Sequence, residues 1–382
     1  MRVTEIKRSA FVSTGAVLST PLAPRSMASP AKPPRKVLSL FAALLFTISP
    51  FPSHAQDAKH APDYKTIVVF GDSLSDVGNV ADLAETKYGF RFPGPLFDYT
   101  DGRFTDGADT EPPAESYSGV WIEQLAATFP SKPTVKASLD GGTDYAYGFA
   151  FTGGGTSVFS FGPYAVTVNN IGQQISDYLA TKPKINDKTL FVVWGGANDL
   201  LNATSEDDVI DAGINQTMNI QRLIDAGATQ FIVPNLPPLG LIPRLNGSPT
   251  TSVPATEAAE IYNKVLRAGI AFLSDFNFGK HLELSQLEVF VLFDKIVAAP
   301  SDYALVNVTD SSQGIAVDPD TYLFWDGLHP TTHGHNILAE TAAAQLAQAD
   351  SREDSVKTGK ELTDPHGDFT GELVIDRELA AH

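Results

Sequence analysis

The segment Asp326-Gly327-Leu328-His329-Pro330 carries a carboxylate and an imidazole with two residues between them, in a stretch that Pro330 helps to keep extended or turned. That spacing lets the two side chains touch. A carboxylate bonded to one ring nitrogen fixes the tautomer and stabilises the imidazolium, leaving the other nitrogen free to take a proton from a hydroxyl. Serine has negligible nucleophilicity without that help. Ser73, in Phe70-Gly71-Asp72-Ser73-Leu74-Ser75-Asp76, stands at a sharp strand-to-helix transition where its hydroxyl can project beyond a sheet edge. Structural roles are also open to these residues: Ser73 as a helix cap, Asp326 as a cap of the turn that follows it, and His329 as a surface side chain.

Two further segments bear on an oxyanion. Asn198, in Val193-Trp194-Gly195-Gly196-Ala197-Asn198-Asp199, follows an apolar run and should stand at the carboxyl edge of a sheet. A preorganised amide donor there is worth about 3 to 4 kcal/mol of transition-state stabilisation, although Asn is also a common turn residue with left-handed dihedrals. The segment from Gly141 to Ala150 is glycine-rich and can bring a backbone amide close to the same place. No GxxxxGK[ST] or GxGxxG accompanies it, so nucleotide binding has little support. His333 and His335 crowd Asp326, but their spacing specifies no closed metal-ligand set, and a helix there turns the two rings to different faces. One of them is expected to pack against the sheet.

These groups need a scaffold that brings distant segments to one edge. Short apolar runs at Thr66–Phe70, Leu190–Trp194, Gln230–Val233 and Val289–Phe293 are bounded by Gly, Asn, Pro or Asp and predict strands buried on both faces. Helical spacing recurs over Val120–Thr128, Ile171–Ala180, Asp207–Ala226 and Ala255–Phe276, with a final helix expected over Thr332–Ala349. Alternation of this kind predicts right-handed crossovers and a three-layer α/β/α sandwich around a mostly parallel sheet. Ligands bind outside the carboxyl ends of such strands, which is where Ser73 falls. Tyr88–Tyr117 and Phe149–Tyr164 are expected to be long loops over the strand ends, serving either as surface excursions or as substrate lining. The aromatic residues of the second stretch could form an acyl-binding wall or plug into the core.

The 382 residues, 43% hydrophobic, suffice for a sizeable core. Lys32, Arg35 and Lys36 precede an apolar run from Val37 to Phe51, with Ser53 and Ala55 after it, which is a signal-peptide pattern. The run falls short of the roughly 20 apolar residues of a permanent span, so cleavage near Ala55 and a secreted or periplasmic protein without a stable membrane span are expected, against the alternative of an uncleaved anchor. Met27 stands where a leader of ordinary length would begin. Losing residues 1–55 would take the net charge from −18 to −24. That charge repels phosphate backbones and anionic lipid surfaces, so nucleic acid is not an expected partner. There is no cysteine, hence neither a disulfide nor a thiolate metal site. The expected organisation is a leader over 1–55, one catalytic domain over 56–350 and an acidic, flexible tail over 351–382.

In this order, the four segments resemble the blocks of the SGNH (GDSL-type) hydrolases: FGDSxSDxGN, a glycine block, GxND and DxxHP. The resemblance spans Phe70 to Pro330 and implies a flavodoxin-like sheet. It further implies Ser73 as nucleophile, His329 and Asp326 as its partners, and an oxyanion hole formed by the Ser73 amide, Asn198 and an amide of the glycine block. The last block departs from the family pattern, with Asp144 where Asn is usual and Phe149 in place of a second glycine. Gly148 is the preferred third donor, and Phe149 can serve if its dihedrals permit. GxSxG is absent, which separates the chain from the usual α/β-hydrolases. The expected activity is cofactor-free hydrolysis of a carboxylic ester, with a lipid, a glycan or a small molecule carrying the acyl group. The alternatives are a carbohydrate acetylesterase and a catalytically silent binding protein on the same fold.

Overall fold

The computed structural model describes residues 62–106 and 117–358. The leader pattern of residues 1–55 and the tail beyond 358 lie outside the described residues. In chain order the elements are β1 (Thr66–Gly71), α1 (Asn79–Tyr88), α2 (Trp121–Thr128), β2 (Thr156–Phe161), β3 (Tyr164–Asn169), α3 (Ile171–Ala180), β4 (Thr189–Trp194) and α4 (Ala197–Asn202). There follow α5 (Glu206–Asp225), β5 (Gln230–Pro234), α6 (Pro249–Phe276), β6 (Glu283–Leu287), α7 (Val289–Ala298), β7 (Asn307–Ser311), β8 (Tyr322–Phe324) and α8 (Thr332–Thr358).

The central sheet is parallel, in the order β1-β4-β5-β6. On the free side of β1 runs the extended backbone of Thr143–Tyr147. Val69 N donates to Thr143 O (3.0 Å), Tyr145 N to Val69 O (2.8 Å) and Tyr147 N to Gly71 O (3.2 Å). Counting that segment as a short edge strand, the order becomes flavodoxin-like, 2-1-3-4-5. The glycine block is thereby carried up to the carboxyl end of β1.

Strand alternation sorts the core into two halves. Val68, Phe70, Phe191, Val193, Phe231 and Val233 face α3, α5 and α6. Ile67, Val69, Leu190, Val192 and Ile232 face α2, α7 and α8. Three of the four predicted strands form where expected. Val289–Phe293 does not: it is the first turn and a half of α7, and the fourth strand is Glu283–Leu287 just before it. After Asp294-Lys295 the apolar pattern resumes at Ile296, and Val289, Leu292, Phe293 and Ile296 are buried at helical spacing. Read as five residues, a continuous apolar run does not distinguish helix from strand.

Phe149–Tyr164 was expected to be a loop, yet from Thr156 it forms one arm of the β2–β3 hairpin, paired antiparallel and separate from the central sheet. Glycines at 153–155 obscure the start of a period-two pattern in which Ser157, Phe159 and Phe161 face inward while Thr156, Val158 and Ser160 are exposed. The described part of Tyr88–Tyr117 is a loop, with one short helical turn at Pro95–Phe97. The last helix runs past Ala349 to Thr358, into the segment expected to be a flexible tail. Among the described residues, no helix is long and apolar enough to cross a membrane.

Candidate active site

Between β1 and α1 the chain turns tightly, with Ser75 N and Asp76 N both donating to Asp72 O and Leu74 N donating to the Asp72 carboxylate. The capping of α1 falls to Asp76, whose carboxylate accepts from Gly78, Asn79 and Val80 N–H. Ser73 is therefore not a helix cap. Its half-buried hydroxyl lies 2.9 Å from His329 Nε2.

His329 reaches Ser73 from a loop closed on itself. Trp325 N donates to His329 O, and Asp326 Oδ1 accepts from Leu328 N (2.7 Å) and His329 N (2.8 Å). The other oxygen, Oδ2, is 2.7 Å from His329 Nδ1. Asp326 thus caps its turn with one oxygen and meets the imidazole with the other. Burial pushes its carboxyl up, but the charge and N–H of His329 and the two backbone donors outweigh that and hold it well below the ordinary carboxylate range. An ionised Asp326 accepts a hydrogen bond, so Nδ1 carries the proton and the Nε2 lone pair faces Ser73.

The glycine block reaches the site as a turn in which Ala150 N donates to Tyr147 O. Gly148 was the preferred oxyanion donor, and here the structure differs: its N–H is spent on Asp76 Oδ2 (2.9 Å). The next residue, Phe149, has φ 67°, a left-handed conformation that normally selects glycine, and its N–H has no acceptor among the described residues. The Ser73 N–H is likewise without one. Glycine at 148 has a packing cause, because a Cβ there would lie 2.6 Å from the Phe104 ring. Asn198 sits in the first turn of α4 rather than in a left-handed turn. Its Nδ2 gives one hydrogen to Ala150 O (3.1 Å), which leaves the second for another acceptor. The neighbouring Asp199 accepts from Thr152 N and Oγ1, so the glycine-block turn is tied to α4 at two points.

Sequence reasoning missed several residues that complete this arrangement. Tyr99 Oη donates to Asp326 Oδ2 at 2.7 Å. Phe104 lies against the His329 ring with centroids 5.1 Å apart. Both come from the loop after α1, whose composition shows no periodicity to place them. Asp76 and Asn79 lie within the first block but pointed to no chemistry. Asn79 Nδ2 donates to Asp144 O and Ala146 O, and Asp144 accepts from Val77 N and Ala146 N, so the two blocks are laced together through buried groups. His333 stacks on Tyr117 and bonds Asp320 O, while His335 is fully buried. Among the described residues, no three His, Asp or Glu side chains group as metal ligands.

A hydrogen-bonded carboxylate, imidazole and hydroxyl at the carboxyl edge of a doubly wound sheet is an arrangement chemically able to carry acyl transfer through a serine. The family model for GDSL-like Lipase/Acylhydrolase matches residues 67–342. The chain belongs to that family of ester-bond hydrolases. It is 25% identical over 307 residues to the thermolabile hemolysin of Vibrio parahaemolyticus, covering 75% of this chain and 65% of that protein, just under two thirds of its length. It is 27% identical over 297 residues to an acetylesterase of Thermothelomyces thermophilus, covering 73% and 87%. A lipolytic G-D-S-L family protein from Veillonella parvula, known from its crystal structure, aligns with a TM-score of 0.38 at 12% identity over 73% of this chain and 96% of that one.

Proposed function

We propose that this chain hydrolyses carboxylic esters through an acyl-enzyme on Ser73. The observation that carries the reading is the unbroken line from Asp326 Oδ2 to His329 Nδ1 (2.7 Å) and from His329 Nε2 to Ser73 Oγ (2.9 Å). In the first step the Ser73 hydroxyl proton passes to Nε2 as Oγ bonds the carbonyl carbon, and the carbonyl π pair becomes an oxyanion. The N–H groups of Ser73 and Phe149 and the free hydrogen of Asn198 Nδ2 face that charge. Collapse breaks the bond to the alcohol oxygen, which takes the proton from Nε2. Water then repeats the sequence on the acyl-enzyme and regenerates Ser73.

Mass spectrometry after treatment with a phosphonate tests this directly. The expected result is one adduct on Ser73, absent from Ser73→Ala, together with turnover of short acyl esters that the variant lacks. No adduct and no turnover would refute the proposal. The acetylesterase relative makes acetate esters a sensible first panel. Export belongs to the same reading: Lys32 to Ala55 supports a cleaved leader, and the secreted protein is expected to begin shortly after Ala55. Recovery of a protein that retains Val37–Phe51 would contradict that.

A further inference from the structure

We propose that the aromatic rings beside His329 form a binding face for an apolar substituent of the ester, medium-chain or aromatic, and that Phe149 and Phe159 set that preference. The proposal rests on the ester-hydrolase reading and gives it a substrate class. The rings belong to the loop after α1, to the glycine-block turn and to the β2–β3 hairpin, not to the strands of the central sheet, and Phe104 joins them to the core. Phe104 is wedged between the imidazole and the oxyanion turn, 5.1 Å from the His329 ring and against Gly148. Phe159 on the hairpin lies 6.0 Å from Phe104, 5.9 Å from Phe92 and 5.9 Å from Phe149, and Phe149 lies 5.3 Å from Phe151. Rings filling a core are fully covered, as Phe70 and Phe191 are, but Phe92, Phe149, Phe151 and Phe159 are only half-buried.

Phe149 provides an independent observation. Its φ of 67° is a conformation in which a bulky side chain is strained and a glycine is not, in the turn whose unpaired N–H the proposed mechanism gives to the oxyanion. Backbone chemistry alone would place glycine there. The phenyl ring that occupies the position instead adds apolar surface within reach of any group bonded to the reacting carbonyl, and such surface rewards each added methylene or ring.

The test compares wild type with Phe149→Gly and Phe159→Ala on two panels. One holds the alcohol constant and varies the acyl group through acetyl, butyryl, hexanoyl and benzoyl; the other holds acetyl constant and lengthens the alcohol. Wild type is expected to favour the larger apolar group by about tenfold or more in kcat/KM on one panel, which identifies the side of the ester that meets the rings. Both variants are expected to lose most of that ratio. Glycine adopts a φ of 67° freely, so Phe149→Gly relieves backbone strain that offsets part of the ring contacts it loses to Phe151 and Phe159, and a cooperative thermal transition in each variant shows that a lost ratio is not misfolding. A flat wild-type profile on both panels, or a ratio unchanged in both variants, would overturn the aromatic face while leaving the hydrolase reading in place. Absence of all turnover together with an unlabelled Ser73 would instead remove the hydrolase reading.

Discussion

Replacing Tyr99 by Phe removes a hydroxyl that Asp326 and Gln313 both meet. The ring keeps its neighbours Phe92 (5.9 Å) and Phe104 (6.2 Å), and only the hydroxyl that donates to Asp326 Oδ2 at 2.7 Å is removed. A bond to a charged acceptor is worth about 1.5 to 3 kcal/mol, and because the Asp326 side chain is 13% exposed, water recovers part of it. The lower end, about 1.5 kcal/mol, is the expected loss of stability at neutral pH. Asp326 would keep its two backbone donors and His329, so the site should still assemble. The rate responds only to what differs between ground and transition states. If half or more of the loss is felt as the imidazolium forms, kcat falls by about three- to tenfold while KM holds. The stability loss should also depend on pH. Asp326 sits below its ordinary value of 3.8, so its contribution is present above about pH 4 and vanishes as pH falls through the depressed value. Losing a donor to the charged form moves that value back up, so the gap between variant and wild type should be constant from about pH 4 to 8 and close only as pH falls through the two depressed values. Steady-state kinetics on a short acyl ester and urea unfolding from pH 4 to 8 read both quantities. A kcat within twofold of wild type, combined with no loss of stability across that range, would show that Tyr99 merely packs.

Asn198→Ala removes one oxyanion donor and should lower kcat by about 100- to 1,000-fold with little change in KM, and a loss under tenfold in single-turnover assays would exclude that role. Asp76→Ala leaves four backbone N–H groups without their acceptor, those of Gly78, Asn79, Val80 and Gly148, and should cost at least about 3 kcal/mol in urea unfolding. Asp72→Asn tests the buried carboxylate beside the nucleophile. Burial pushes Asp72 from 3.8 up to about 6, so its contribution to stability is complete below about pH 4 and is lost as pH rises through 6. The amide does not titrate, and the variant should gain on wild type between pH 4 and 7 by about 3 kcal/mol, whereas parallel pH profiles of the unfolding midpoint would contradict the shift.

The layers of this fold were legible because strands buried on both faces and amphipathic helices leave different periods in the sequence. The exceptions share one cause. Val289–Phe293 and Thr156–Phe161 are short stretches whose state is decided by neighbours outside the window: the first by the apolar pattern that resumes at Ile296, the second by a partner strand beyond Gly162-Pro163. In the candidate site, Ser73, His329 and Asp326, which the fold brings within hydrogen-bonding reach of one another, announced themselves by type and spacing. Tyr99 and Phe104 did not, since an aromatic residue in a loop rich in Gly, Pro and acids carries no local sign of what it will meet 227 or 225 positions further on.

The two departures from the family pattern in the glycine block are of different kinds, and the hydrogen bonds separate them. At 144 the carboxylate offers two acceptors, Oδ2 to Val77 N and Oδ1 to Ala146 N, whereas an Asn has one carbonyl oxygen and an NH2 group that only donates. Asp144 thus ties the first block to the glycine block through both oxygens, as a buried group whose carboxyl is pushed well above its ordinary range by burial. At 149 the backbone holds a left-handed conformation that glycine adopts freely, and its N–H has no acceptor among the described residues. With the Gly148 N–H committed to Asp76, the Phe149 N–H is the donor of this turn that the proposed mechanism uses. On that proposal the phenylalanine leaves a donor in the turn and adds a ring beside it, which is where selectivity among esters is expected to differ from that of a chain with glycine at this position.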